Sequence, residues 1–536
     1  MKKILLNITA IIFLFTSCED YLEEENLSNV TGEEFYTTEE GFEGLVNSNY
    51  AQLRAIYGNE PWLFSAGTDL YAEGRDAEPT GLSQYSDLNP SSEGVEHLYN
   101  TGYKAVQVAN MGLYYSDLTV PTPQLENRIG EIKYLRANAY FLLVQTYGGV
   151  GLVTEYISNP VLEFDRNSAE EVYTFIIAEL EEALNLVEDG AYEGRVNKRA
   201  VQHLLAKVHL TRGYESFGDE TDFESAAQYA DAAIRGQGLN LDFKELWWPG
   251  NEMNEEVVFS VQYDASSVST DPFELGHMQT SFFGPYQGGS EVAGEAPYRT
   301  YTLTPTQFAI DLYNEGDQRW NNTFMVEVFD VYSDYFNESD YSSLGVQHYY
   351  EPKWESDSDQ AAYEASHPGV TYHPYGSYVP SENPNFDYET IPVKKFDDPS
   401  APFGEKTSTR DIILARLGET YLIAAEAYLQ SGDPATALMR LNEVRRRAGA
   451  ELAEQTDLDI DYILDERARE LLGEYHRWFD LKRTGKLVER ASAYHFLIEE
   501  DNFNGANGEL KILRPIPQSA IDLNQNRDFQ QNPAYQ

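Results

Sequence analysis

Apolar residues recur at three- and four-residue spacing through most of the first 245 residues, which predicts amphipathic helices. The segment TTEEGFEGLVNSNYAQLRAIY opens with Thr38 followed by acidic residues, which is typical of a capped helix start. The same spacing returns from about residue 410 to 484. The further helical segments are EIKYLRANAYFLLVQTYGG, SAEEVYTFIIAELEEALNLV, NKRAVQHLLAKVHLTRG, DFESAAQYADAAIRG, ILARLGETYLIAAEAYLQSGD, PATALMRLNEVRRRAG and ILDERARELLGEYHRWFDLKRTG.

Small residues repeat within three of these helices. Residues 206–213 (AKVHLTRG) align with 425–432 (AEAYLQSG), and 137–140 (ANAY) share the start of the pattern. Small side chains let a neighbouring helix approach closely, and the final glycine ends the helix. The pattern resembles tetratricopeptide-type helical pairs, which stack into a curved scaffold.

Residues 246–410 differ from both flanks. They contain one plausible strand at 257–263 and long stretches rich in Tyr, Gly, Pro, Asn, Asp and Ser, the composition of ordered loops and short strands. We therefore predict a mainly α fold in which a tetratricopeptide-like helical-pair scaffold carries a large irregular loop and short-strand region. Loops held by a rigid frame are where binding sites usually lie.

The first eighteen residues have the pattern of an export signal. Lys2 and Lys3 precede an apolar stretch too short to span a bilayer, and Cys18 follows small residues at the expected cleavage point. This looks like a bacterial lipobox, with Cys18 as the lipid attachment site. The predicted organisation is a signal peptide (1–17), an acidic tether (18–36), and one globular unit from about 37 to 536. That unit divides into an N-terminal helical scaffold (37–245), an irregular ligand-face region (246–410), and a C-terminal helical segment and tail (411–536).

Composition narrows the range of functions. The chain has 38 Lys and Arg against 89 Asp and Glu, so its formal net charge is 38 − 89 = −51, which disfavours nucleic acid as a partner. Cys18 is the only cysteine, so the chain cannot form an internal disulfide framework or a thiolate zinc site. Aromatic residues make up 13% of the chain, and they suit both a core and a surface that stacks on flat ligands.

The usual signatures of catalysis are missing from the sequence. It has no Gly-x-Ser-x-Gly elbow, no His-Glu-x-x-His and no Walker A loop. Asp457, Asp459 and Asp461 alternate as in a calcium loop but lack its glycine and closing glutamate, so we expect them to precede and cap a helix beginning near Ile463. The sequence thus predicts no catalytic residues, no metal, no cofactor and no enzymatic activity.

The segment 465–483, DERARELLGEYHRWFDLKR, concentrates opposite charges at helical spacing. Pairs such as Glu466/Arg469 and Glu474/Arg477 are predicted to form ion pairs along one helix. We interpret this segment as an ion-paired helix that holds the scaffold together, rather than as an active site.

Aromatic residues in predicted loops are the remaining candidates for ligand contact. Trp and Tyr can stack on the apolar faces of sugars, while Asp, Asn and Arg can hydrogen-bond the hydroxyl edges. The ligand-binding candidates are Trp62, Asp69, Tyr71, Arg75 and Tyr85 in an N-terminal loop, and Tyr286, Tyr298, Trp354 and Tyr372 in the middle region.

Several segments together resemble the SusD/RagB outer-membrane lipoproteins of Bacteroidetes nutrient uptake. They include the lipobox and HLYNTGYKAVQVANMGL, YLRANAYFLLVQTYGGVGLV, NEMNEEVVFSVQY, YTLTPTQFAIDLYNEGDQRWNNTF, VKKFDD, ARLGETYLIAAEAYLQSGDPATALMRLNEVRRRAG, ERARELLGEYHRWFDLKRTGKL and LRPIPQSAIDLNQNRDFQQNPAY. The resemblance implies a surface-exposed lipoprotein, held in the outer membrane only by its lipid anchor, that acts as the lid of a SusC-like TonB-dependent transporter. It also implies that the lid passes a captured ligand, usually an oligosaccharide, into the transporter for import.

Three alternatives stay open: a peptide-capturing lid of the same architecture, a lipid-anchored hydrolase using carboxylates, and a scaffold that binds only proteins. The net charge disfavours glycans rich in sulfate or uronate, unless a local basic patch such as Arg75, Lys353, Lys394 and Lys395 outweighs it.

Overall fold

The computed structural model describes residues 32–74, 80–266, 276–283, 299–300, 302–379, 390–401 and 406–536. The N-terminal part is helical, as predicted. Thr38 caps the first long helix by accepting a hydrogen bond from the Gly41 amide at 3.1 Å. Its elements are α1 (Gly32–Tyr36), α2 (Glu39–Tyr57), β1 (Tyr71–Ala72), α3 (Gly81–Gln84), α4 (Val95–Ser116), α5 (Leu125–Tyr147), α6 (Ala169–Leu186), α7 (Lys198–Gly213) and α8 (Glu220–Ile234).

The middle of the chain consists of short elements joined by loops. They are α9 (Phe243–Trp247), β2 (Val257–Val261), α10 (Gln279–Phe282), β3 (Thr304–Pro305), α11 (Gln307–Asp311), α12 (Gln318–Thr323), β4 (Glu327–Phe329), α13 (Asp334–Asn337), β5 (Val346–Tyr350), α14 (Asp357–Ser366) and β6 (Thr371–His373). The predicted strand is present as β2. Strands β4, β5 and β6 form one sheet, with β4 and β5 antiparallel and β5 and β6 parallel.

The C-terminal part returns to helices. It contains β7 (Ile412–Arg416), α15 (Leu417–Gln430), α16 (Pro434–Arg447), α17 (Ile460–Glu470), α18 (Arg477–Arg483), α19 (Leu487–Tyr494) and α20 (Gln518–Leu523). Asp459 caps α17 by accepting from the Tyr462 amide at 2.8 Å, so the capping role predicted for this aspartate is confirmed, although the helix begins at Ile460.

Successive helices pack into one continuous stack. Each of α4 to α8 contacts the next, and α15 then packs on α8 and on α16, although it lies far from α8 in sequence. The aligned small residues lie where these helices meet, and Ala206 and Ala425 are both fully buried. The mainly α fold with a helical-pair scaffold is therefore confirmed. We call α4 to α8 with α15 and α16 the helical stack.

One predicted helix start was wrong. Residues 412–416 were assigned to a helix, but they form β7, which pairs antiparallel with β2 so that Val261 faces Ile412 and Ser260 faces Ile413. Strand β2, with which they pair, lies about 150 residues earlier in the chain. The hydrophobic spacing within residues 412–416 cannot indicate so distant a partner.

The segment 465–483 is also not one helix. The chain leaves α17 at Glu470 and turns through Gly473 and Tyr475, which have φ of 79° and 39°, before α18 begins. The predicted Glu466–Arg469 ion pair forms at 2.9 Å, but the turn separates Glu474 from Arg477. Glu474 instead contacts Arg416 at 2.7 Å, and Arg477 contacts Asp69.

A buried network of arginines and glutamates joins these helices to the middle of the chain. Arg319 contacts Glu466 at 2.7 Å and Glu470 at 3.1 Å, and Arg416 contacts Glu470 at 2.6 Å. Removing one member of such a network leaves the other charges uncompensated in a low-dielectric interior. The network therefore supports the interpretation of this segment as structural.

The C-terminal tail is attached to the N-terminal helices. The Arg514 amide donates to the Thr146 carbonyl at 2.9 Å, and Asn532 Nδ2 donates to the Tyr147 carbonyl at 3.0 Å. Lys511 Nζ donates to the Tyr85 carbonyl at 2.6 Å. The C-terminal tail is thus held directly against the end of α5 and the residue that follows α3.

Candidate functional site

A cleft of about 470 Å³ opens beside the β4–β5–β6 sheet. Aromatic and polar residues line it in equal numbers, and the polar residues carry two amides, two carboxylates and two ammonium groups. The aromatic lining residues are Trp320, Phe329, Tyr335, Tyr341, Tyr349 and Trp354, and the polar ones are Asn321, Asn322, Glu327, Glu355, Lys244 and Lys394. We call it the aromatic cleft.

Trp354, one of the predicted ligand contacts, lines this cleft. It follows β5 and is half-buried, and its ring meets the Trp320 ring edge-on at 5.8 Å and 73°. Trp320 lies on α12 and is only 2% exposed, so it forms a fixed base for Trp354. A ring held in this way can stack on a flat ligand without first losing rotational freedom.

Two neighbouring strands supply tyrosines on the same side of the sheet. Tyr349 on β5 is directly opposite Tyr372 on β6, with ring centres 5.3 Å apart. The Tyr349 hydroxyl donates to Glu355 Oε1 at 2.6 Å, and the Tyr372 hydroxyl reaches Glu355 Oε2 only at 3.5 Å. Burial raises the pKa of Glu355 above its ordinary value, although the Tyr349 hydrogen bond opposes this. Tyr372 thus supports the cleft through Tyr349 and Glu355 rather than lining it.

The cleft lining also contains a stack of three rings. Tyr335 and Tyr341 lie 5.5 Å apart at 12°, and Phe329 lies 5.4 Å from Tyr341 at 27°. The Tyr341 hydroxyl donates to the Tyr335 carbonyl at 2.9 Å, which fixes the stack. Lys394 Nζ lies 3.5 Å from the centre of the Tyr335 ring. Flat ring faces with amide and charged groups between them are suited to the apolar faces and hydroxyl edges of sugars.

Four of the predicted ligand contacts are buried in the core, which contradicts the prediction that they touch a ligand. Trp62 is 5% exposed, and its indole N–H donates to Glu60 at 2.5 Å. Tyr71 is 1% exposed because β1 pairs with β3, and its ring packs edge-on against Phe283 at 5.2 Å. Tyr85 is 2% exposed.

Tyr85 and Asp69 have structural partners. The Tyr85 hydroxyl donates to the Gly67 carbonyl at 2.8 Å, and its ring stacks on Phe503 at 4.0 Å. Asp69 is fully buried and accepts from Arg477 Nε at 2.8 Å and Arg490 Nε at 3.1 Å. Burial alone would raise the pKa of Asp69, but the two guanidinium groups outweigh it and hold that pKa below its ordinary value.

The remaining predicted residues, Cys18, Arg75, Tyr286 and Tyr298, lie outside the described residues. Sequence reasoning missed Tyr335, Tyr341 and Tyr349 as individual candidates, although the tyrosine-rich composition of residues 246–410 pointed to this region. Lys244 was also missed, because it lies on helix α9 and the candidates were aromatic and polar residues of the predicted loops.

The described residues contain no group of three or more His, Cys, Asp or Glu side chains placed to hold a metal ion. Among the same residues, no helix is both long and apolar enough to cross a membrane.

Two family models match the chain. The model described as "SusD family" matches residues 255–535, and the one described as "Starch-binding associating with outer membrane" matches residues 20–210. Among individual relatives, the starch-binding protein SusD of Bacteroides thetaiotaomicron is 26% identical over 487 residues, covering 83% of this chain and 80% of that protein. A SusD-like protein of Bacteroides ovatus is 24% identical over 510 residues, covering 90% of this chain and 82% of that protein.

Solved structures share the fold. A laminarin-binding SusD-like protein superposes with a TM-score of 0.69 at 24% identity, covering 93% of this chain and all of that one. A surface glycan-binding protein of Bacteroides thetaiotaomicron, in complex with laminarihexaose, gives the same TM-score and coverage at 19% identity. Since the first family model spans more than half of the residues, this chain belongs to the SusD/RagB family.

Proposed function

We propose that this protein is a glycan-binding lipoprotein of the outer-membrane surface, anchored through Cys18. In this proposal it is the lid of a SusC-like TonB-dependent transporter and captures oligosaccharides for import. It acts by reversible binding, without making or breaking a covalent bond.

The observation that carries the proposal is the aromatic cleft. Its lining combines the rings of Trp354 and Tyr335 with the amide groups of Asn321 and Asn322. The cleft volume of about 470 Å³ is in the range of sites that hold a small ligand or a few sugar rings. Support also comes from the names of similar proteins, which describe binding to starch, laminarin and laminarihexaose.

The test uses the chain from Glu19 onward, screened against neutral glycans, acidic glycans and peptides by affinity electrophoresis and calorimetry, with products analysed in parallel. We expect selective glycan binding without product formation. Binding to peptides alone would replace the glycan by a peptide ligand, and turnover would identify an enzyme. Absence of any glycan binding would refute the proposal.

The Trp354→Ala variant tests the cleft itself. Loss of one stacking ring should weaken glycan binding by about 1–3 kcal/mol, if stacking on a sugar contributes as much as aromatic stacking on a nucleic-acid base. Tyr114→Ala is a matched control, because Tyr114 is a 50% exposed ring on α4 and does not line the cleft. Unchanged affinity in Trp354→Ala, with its fold intact by circular dichroism, would place the glycan elsewhere.

A further inference from the structure

Two lysines face the aromatic cleft without a carboxylate partner. Lys394 is only 6% exposed, and neither it nor Lys244 has a carboxylate oxygen within 4 Å among the described residues. The adjacent Lys395 shows the usual arrangement for a buried lysine, because its Nζ contacts Glu474 at 2.5 Å and the Leu472 carbonyl at 3.1 Å. Lys394 therefore differs from its neighbour Lys395, whose ammonium group is paired with a carboxylate.

Both ammonium groups lie against the same ring. Lys394 Nζ is 3.5 Å from the centre of the Tyr335 ring, and Lys244 Nζ is 5.4 Å from it. Lys244 Nζ also lies 4.8 Å from the Trp248 ring centre and 3.4 Å from the Tyr341 hydroxyl. One wall of the cleft thus carries two positive groups at adjacent positions.

The carboxylates nearest to Lys394 are already engaged with other groups. Asp397 contacts Arg299 at 2.6 Å and accepts from the Tyr332 hydroxyl at 2.6 Å. Glu327 accepts from the Tyr363 hydroxyl at 2.7 Å. Glu355, which also lines the cleft, accepts from the Tyr349 hydroxyl at 2.6 Å. Asp397 and Glu327 oppose the lowering of the Lys394 pKa, but among the described residues Lys394 forms no ion pair and its Nζ lies against the ring face of Tyr335.

A buried ammonium group without a counter-charge is unfavourable, and it becomes favourable when an anion enters beside it. Burial, reinforced by the positive charge of Lys244, lowers the pKa of Lys394 well below its ordinary value. An anion bound in the cleft would raise that pKa again. An anionic ligand would therefore stabilise the protonated form of Lys394, whereas a neutral ligand would not.

We propose that the aromatic cleft binds a glycan that carries an anionic group, a carboxylate or a sulfate ester, and that Lys394 and Lys244 bind this group while Trp354 and Tyr335 stack on the sugar rings. This inference rests on the proposed function, since it assumes that the aromatic cleft is the glycan site. It specifies the substrate class as acidic glycans.

The net charge of −51 does not contradict this assignment. At physiological ionic strength, charges farther than about 8 Å from an exposed site are largely screened, whereas a partly buried pair is screened much less. The charge that decides binding is therefore that of the cleft wall. The cleft lining carries two ammonium groups and two carboxylates. Glu327 and Glu355 accept hydrogen bonds from Tyr363 and Tyr349, whereas the ammonium groups lie against ring faces and are open to an anionic ligand.

The experiment compares acidic glycans with their neutral counterparts in calorimetry. The probes are oligogalacturonate and its carboxyl-reduced form, and a panel of uronate and sulfated oligosaccharides with carboxyl-reduced or desulfated forms. We expect the acidic member of at least one pair to bind about 10- to 100-fold more tightly, the range set by hydrogen bonds to charged groups.

The variants Lys394→Met and Lys244→Met should each remove most of this preference for the acidic member of a pair. Lys394→Met should fold, because it replaces a buried amine that has no carboxylate partner among the described residues by an apolar side chain of similar length. Lys104→Met is the matched control, since it removes one exposed positive charge on α4, outside the cleft lining.

The outcomes separate the two proposals. Equal affinity for acidic and neutral members, or a preference that survives in both lysine variants, would overturn the acidic-glycan inference and leave the glycan-binding proposal standing. No binding to any glycan would overturn both.

Discussion

Replacing Asp69 by Asn should destabilise the fold without changing ligand affinity. Asp69 is fully buried, and it is held by Arg477 and Arg490. In Asp69→Asn, Arg490 keeps Asp461 at 3.0 Å as a partner. Among the described residues, Arg477 keeps no carboxylate and retains neutral acceptors such as the Leu464 carbonyl at 2.6 Å. Breaking a buried pair on one side costs about 3–5 kcal/mol. Because Arg490 keeps a carboxylate partner, we expect the free energy of unfolding to fall by the lower end of this range, about 3 kcal/mol.

The free energy of unfolding is measured by urea titration, following tryptophan fluorescence, with glycan affinity measured on the same preparations. Asp189→Asn serves as a matched control, because Asp189 pairs with Arg235 at the surface with 58% of its side chain exposed. An exposed pair contributes about 0–1 kcal/mol. If Asp69→Asn lost less than about 1 kcal/mol, or if it lost glycan affinity while keeping its stability, the assignment of Asp69 to the core would be refuted.

Two other predictions concern the C-terminal helices. Burial opposes ionisation of Glu466 and Asp480, but neighbouring arginines outweigh it and lower the pKa of each to about 2. Unfolded carboxylates titrate near about 4, so the stability these groups contribute should be complete above that pH and be lost as the pH falls towards about 2, as circular dichroism during acid titration would show. Gly473→Ala should cost about 2–4 kcal/mol in urea unfolding, because φ is 79° and a Cβ would lie 2.4 Å from the Phe396 ring. Gly369→Ala, at φ of 97° with open space around it, should cost only about 1 kcal/mol, and equal losses at the two positions would contradict the packing argument.

The sequence predicted the helices well, because the residues that cap a helix and set its apolar spacing lie within a few positions of one another. The Thr38 and Asp459 caps and the spacing of small residues in the helical stack are examples. The errors arose where distant partners decide the structure. Strand β7 exists because β2 pairs with it, and Arg477 turns towards Asp69, which is 408 residues away. No local pattern contains this information.

The contrast between local patterns and distant partners also explains which residues of the candidate site the sequence predicted. Trp354 was found because its loop composition pointed to binding, and the structure places it in the cleft. Tyr71 was assigned to a loop for the same reason, but pairing of β1 with Pro305 of β3 buries it. Lys244 and Lys394 are 150 positions apart in the chain, so only the fold reveals that they face one ring.

The attachment of the C-terminal tail to the N-terminal helices has a consequence for the order of folding. The contacts of Arg514 and Asn532 with Thr146 and Tyr147 join residues separated by most of the chain, and such non-local closure is slow. The first helices leave the ribosome long before their final partners are synthesised. The N-terminal part therefore cannot complete its packing during synthesis, and the native state becomes accessible only once the last residues have been released.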